Sequence, residues 1–154
     1  MLNNANRGKE TIVFGEDSIV IQKFISGIPG GRTLDVAGYP VANVFAGSVI
    51  IKKTVTTDKK NETVYAPMPL KAKKSGEEAV LDEDGKPVYE YDALPEGSSY
   101  AGMLYRTISI ADPQASILLD GVVNEELLPY GFEAIKKDFL AAVPQIILVK
   151  DEVA

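Results

Sequence analysis

The sequence predicts a mainly β, β-rich α+β fold: a small β-barrel or sandwich with one helix in its C-terminal region, long loops and a polar N-terminal arm. Three observations predict it. Short runs rich in β-branched and aromatic residues recur along the chain, bounded by Gly, Pro, Asn and Asp. One late segment alone carries the helical three-and-four spacing of apolar residues. The 154 residues are 45% hydrophobic and 25% charged, which suits one globular domain with its own core. We therefore expect a flexible arm over residues 1–10 and a single domain over 11–154, from which 71–98 protrudes as a hairpin or loop.

Each element follows in order. TIVFGEDSIVIQKFI (11–25) holds two apolar runs around Gly15–Ser18 and reads as two short strands. SGIPGGR (26–32) is a loop, and it lacks the GxxxxGK[ST] and GxGxxG spacings that cradle phosphate. β-Branched residues dominate from Val41 to Val55, where Gly47 predicts a bulge or a close backbone approach. TTDKKNET (56–63) is a polar hairpin tip, and the prolines of Tyr65–Pro69 keep that segment extended. Asp84-Gly85 marks a tight turn within the hydrophilic stretch 71–98. Residues 101–112 and 115–123 read as strands joined at Asp112-Pro113. Over 129–143, Phe132, Ile135, Phe139 and Val143 share one face of a helix that Pro144 ends. QIILVK (145–150) is a buried closing strand. About nine or ten strands result.

Composition narrows the function. The net charge is −6 and the sequence pI about 4.7, opposite to the basic footprint of a nucleic-acid binder and unsuited to an anionic membrane surface. No Cys means no disulfide framework and no thiolate. No His removes the Ser-His-Asp and Cys-His arrangements and every imidazole metal ligand. The polar start MLNNANRGKE has no signal-peptide character, and no run approaches the ~18 apolar residues of a membrane span. We expect a soluble protein made in the cytosol.

Candidate chemistry is sparse. Asp82-Glu83-Asp84-Gly85 suggests calcium, but contiguous acids and an early Gly break the register of a twelve-residue calcium loop; a charged hairpin tip fits better. Glu90, Asp92 and Glu96 flank tyrosines, a pattern shared by glycosidase carboxylates, contact surfaces and plain strands. Lys71, Lys73 and Lys74 form a basic group that Glu77 and Glu78 offset. In GVVNEELLP (121–129), Asn124 is placed to cap a turn and Glu125 and Glu126 suit its first residues. Leu127 and Leu128 should then face the core, and Pro129 should open the next helix. The chemical alternative is a carboxylate-based hydrolase using Glu125, Glu126 or the Glu90/Asp92 pair.

The order of short segments adds a resemblance. Ala46-Gly47 in VFAGSVI, Ala101-Gly102-Met103-Leu104 in YAGMLYRTISIAD, Gly121-Val122-Val123-Asn124-Glu125 and Ile146-Ile147-Leu148-Val149 occur in the order seen in one family. Over about residues 40–150 the chain resembles the head-decoration and head-fibre proteins of tailed bacteriophages. That resemblance implies a non-enzymatic virion protein on the outer capsid surface. Its partner would be the major capsid protein, and it would form a homotrimer in preference to a dimer. It implies no cofactor, metal or catalytic residue. Asn3, Asn4, Arg7 and Lys9 are then candidate capsid contacts, since a polar arm can order by pairing at a sheet edge. Tyr89, Tyr91 and Tyr100 are a candidate outward surface for a host glycan. The long 71–98 segment and the first forty residues depart from a minimal decoration fold, which leaves clamp and short fibre both open.

Overall fold

The computed structural model describes residues 20–150. The chain is β-rich, as the sequence predicts, with one principal sheet and several two-stranded ladders. Along it run β1 (Ile21–Gly27), β2 (Arg32–Thr33), β3 (Asn43–Val44), β4 (Val49–Thr57) and β5 (Lys60–Pro67). Then come β6 (Leu70–Ala72), β7 (Lys74–Ser75), β8 (Glu78–Ala79), β9 (Tyr89–Tyr91) and β10 (Ser98–Leu104). β11 (Ile108–Ser109), β12 (Gln114–Ala115), β13 (Ile117–Asn124), helix α1 (Lys136–Ala142) and β14 (Ile146–Val149) complete it.

The principal sheet has the order β1-β13-β10-β4-β5, with β14 also on β13. β13 gives one edge to β1 and shares the other. Its start pairs with β10 (Met103↔Leu118, Leu104↔Ile117) and its end with β14 (Gly121↔Ile146 to Asn124↔Val149). The β13–β14 pairing is parallel, which a tight hairpin cannot make. The chain must cross over, and α1 sits in that crossover. β1 and β5 end the sheet without meeting, so the expected barrel is not closed. Every added strand twists the sheet, and closure needs a consistent tilt and stagger that two-residue ladders do not supply.

Both faces of the sheet are covered, which explains its apolar runs. In β4, Val49 and Ile51 enter one core cluster with Met103, Leu118, Val123, Phe132, Phe139 and Ile146. Ile50 between them enters the other, with Leu34, Val44, Leu104, Ala115 and Ile117. Residues of α1 and its approach cover the first face; the short ladders β3–β11 and β2–β12 cover the second.

Two glycines permit close backbone approaches. Gly47 lies in the turn before β4 at φ 86° and donates its N–H to the Leu104 carbonyl at 2.8 Å. A Cβ there would meet Val20 Cγ1 at 2.8 Å and Leu128 Cδ2 at 2.9 Å. The close approach is as expected, but at a turn and not inside a strand. Gly102 sits at a register irregularity between β10 and β4, and a Cβ on it would run into the Leu118 carbonyl oxygen.

Other expectations shift in detail. The second strand proposed for 11–25 is present as β1; the first lies outside the described residues. The strand expected over 101–112 starts earlier, at Ser98, and stops at Leu104 before the separate β11. The helix expected over 129–143 is shorter. Tyr130 and Gly131 take left-handed backbone (φ 61° and 69°), so Pro129 opens no helix. A 3-10 turn over Phe132–Ala134 precedes α1 instead. The apolar face itself holds: Phe132, Phe139 and Val143 are buried. The closing strand is only partly buried, with Ile147 54% exposed. Among the described residues no helix is long and apolar enough to cross a membrane.

Candidate functional site

The acidic stretch after β13 is structural. Asn124, 1% exposed, caps a 3-10 turn over Glu125–Leu127 and accepts from the Glu126 N–H at 3.1 Å. Glu125 pairs with Lys136 at the start of α1. The hydrogen bond from Lys136 holds the Glu125 carboxyl below its ordinary range, and Glu125 in turn raises the Lys136 ammonium. The crossover is thus clipped at both ends, by β14 on β13 and by this ion pair. Leu128 packs against the core as expected, but Leu127 is 45% exposed, because a three-residue 3-10 turn cannot aim adjacent side chains at one core.

Three other candidate acids, Asp82, Glu90 and Asp92, also have partners within the chain. Asp82 Oδ1 accepts from the Asp84 and Lys86 N–H groups at 2.9 and 2.8 Å, closing the hairpin tip. Glu90 faces Lys71 across the β6–β9 ladder at 3.9 Å, an exposed pair. Asp92 accepts from the Ala93 N–H. No three His, Cys, Asp or Glu side chains among the described residues converge as a metal site.

The tyrosines divide. Tyr91 does not face outward: it is 8% exposed, and its hydroxyl accepts from the Val49 N–H at 2.9 Å. Alternation puts Tyr89 and Tyr91 on one face of β9 and Glu90 on the other, and Tyr91, paired with Leu70 at the core end of the ladder, is the one that is buried. Tyr89 and Tyr100 are half-buried, and Tyr100 packs edge-on against Phe139. Asn3, Asn4, Arg7 and Lys9 lie outside the described residues.

Sequence reading missed what lies beside Tyr91. Its ring packs edge-on against Tyr130 at 5.6 Å between centroids. Tyr39 and Ser48 complete a group of four hydroxyls around it. Burial pushes the Tyr39, Tyr91 and Tyr130 phenols above their ordinary value, and neighbouring phenols add to this at Tyr39 and Tyr91. Tyr39 lies beside both Ser48 and Tyr130, yet the buried Ser48 Oγ and Tyr130 Oη make no hydrogen bond of good geometry. The group is therefore not fully satisfied. Neutral phenols can donate and accept hydrogen bonds, but no base lies among them to activate Ser48. The one available signal was that Tyr39 and Tyr130 each adjoin a proline.

Tyr39 also reaches a cleft of about 220 Å³ between the Asp35–Pro40 strap, the β4–β5 ladder and the 95–98 turn. The strap is held by the Asp35 N–H on the Tyr65 carbonyl at 2.8 Å. Proline rings, Ile51, Val64 and Leu70 form its walls; Lys52 and Lys53 stand at its rim. Ligand sites run from about 300 to 1,000 Å³, so this cleft suits one side chain more than a whole metabolite. Comparison of the chain with family models, curated proteins and solved structures gives no match.

Proposed function

We propose that the chain is a structural virion protein of a tailed phage, bound to the outer surface of the capsid and decorating or stabilising the head. Its partner is the major capsid protein, and it associates with itself as a homotrimer. It works by binding and performs no catalysis. One observation carries the reading. The four segments that resemble decoration proteins are joined in the principal sheet and at its edge: Gly47 bonds to Leu104, β10 pairs with β13, and β13 with β14. The resemblance therefore follows the framework of the fold and is not scattered over loops. A lattice-binding protein gains affinity from many repeated weak contacts, which suits a chain whose Asp82 and Glu125 carboxylates are engaged within the fold. Asn3, Asn4, Arg7 and Lys9 would add contacts from the arm.

Mixing the purified chain with capsids that lack it, then pelleting, tests this. Co-sedimentation that saturates is the expected result, and absence from the pellet at every salt concentration overturns the reading. With Tyr91 in the core, the tyrosines no longer form one outward face, so nothing favours a glycan surface over a capsid contact.

A further inference from the structure

The described part of the molecule segregates charge between two hairpins. The β4–β5 hairpin carries Lys52, Lys53, Lys59 and Lys60 against Asp58 and Glu62. The segment 70–98 carries four lysines and eight carboxylates. The first hairpin's base holds the cleft, lined mainly by apolar residues with two lysines, Lys52 and Lys53, against one carboxylate, Asp35, which already accepts from the Ala37 N–H. The second presents Leu81, 56% exposed, beside Asp82, Glu83 and Asp84.

That knob is preorganised. Leu81 bridges to Pro87, the Asp82 N–H donates to the Lys86 carbonyl at 2.8 Å, and Asp82 Oδ1 takes two further N–H groups. A rigid tip loses little freedom on docking. An apolar anchor flanked by acids and an apolar cleft flanked by lysines complement each other in both size and charge.

We infer that the acidic tip of one copy docks, Leu81 first, into the cleft beside Lys52 and Lys53 of a second copy. Knob and cleft are different surfaces, so the contact is head-to-tail; it closes into a ring if the rotation per step divides a full turn, and otherwise runs on as a filament. The inference does not rest on the capsid reading: self-association is measured on the chain alone, and capsid binding by pelleting.

Sedimentation equilibrium of the full chain tests it with two variants, Leu81→Asp and Lys53→Glu, both at exposed positions. The native chain should associate, and more weakly as salt rises. Each variant should weaken association at least about tenfold with its circular dichroism melt unchanged. Mixed together, the variants should form a two-chain species and nothing larger, because the Lys53→Glu copy keeps its knob and the Leu81→Asp copy its cleft. A native monomer, variants that retain the native mass, or a mixture that stays monomeric would each overturn the inference.

Discussion

The β4–β5 hairpin ends at Pro67, three residues before the β6–β9 hairpin begins at Leu70, and the two differ in almost everything else. The first is anchored on both faces, through Val49, Ile50 and Ile51, before it leaves the body. The second touches the core through Leu70 and Tyr91, and every residue from Lys73 to Ala79 and from Leu81 to Pro87 is exposed. Its ladders are two or three residues long, β7–β8 nested beyond β6–β9. Apolar burial contributes roughly 25 cal/mol per Å², so the first hairpin stabilises the fold and the second draws stability from it. A segment that contributes little to folding yet holds a rigid shape is suited to contact another surface.

The comparison can be broken at several points. Ile50→Ala, at the root of the first hairpin, should cost about 2–5 kcal/mol in urea unfolding, because Ile50 is fully buried between layers. A cost below ~1 kcal/mol would mean the second face is not a true core. Tyr91→Phe, at the root of the second, strands the buried Val49 N–H and should cost about 1–3 kcal/mol. The same substitution also alters the pH profile. Burial raises the Tyr39, Tyr91 and Tyr130 phenols above 10.0, so the unfolded chain loses those protons first. Stability is fully present below pH 10 and falls as pH rises beyond it, and Tyr91→Phe should make that fall shallower.

Outside both hairpins, Asn124→Ala should cost about 0.5–2 kcal/mol in thermal melts through loss of the cap. At the tip of the first hairpin, Asp58 and Lys59 both hold positive φ, 42° and 71°, in the manner of a two-residue turn that favours glycine. Lys59→Gly should therefore raise stability by up to about 1 kcal/mol. A loss on that substitution would place the tip's stability in the lysine side chain.

The fold was readable where periodicity is strong. The continuous run Val49-Ile50-Ile51 and the spacing of Phe132, Phe139 and Val143 announce burial on two faces and on one. The Asn124 cap was readable because its mechanism is local, needing only a side-chain oxygen two residues before an N–H. The helix start was not, since the left-handed backbone at Tyr130 depends on where the crossover must land β14. Tyr91 was misread as outward because alternation identifies two faces without saying which is inside. The hydroxyl group of Tyr39, Ser48, Tyr91 and Tyr130 comes from four separated segments, and only tertiary pairing brings them together. The cleft was hidden for the same reason: its strap is fixed by one bridge, Leu34 to Tyr65.

The most direct test of this division of labour removes the second hairpin's outer part. Lys73 and Val88 already face each other through the Lys73 N–H on the Val88 carbonyl at 2.8 Å. Residues 74–87 can therefore be replaced by Asn-Gly, a two-residue turn. The mass in solution and the thermal midpoint are then measured on one sample. The account predicts a midpoint within a few degrees of the native chain, since little burial is lost, together with loss of self-association. A midpoint lowered by about 10 °C or more, or a shortened chain that still associates, would contradict it.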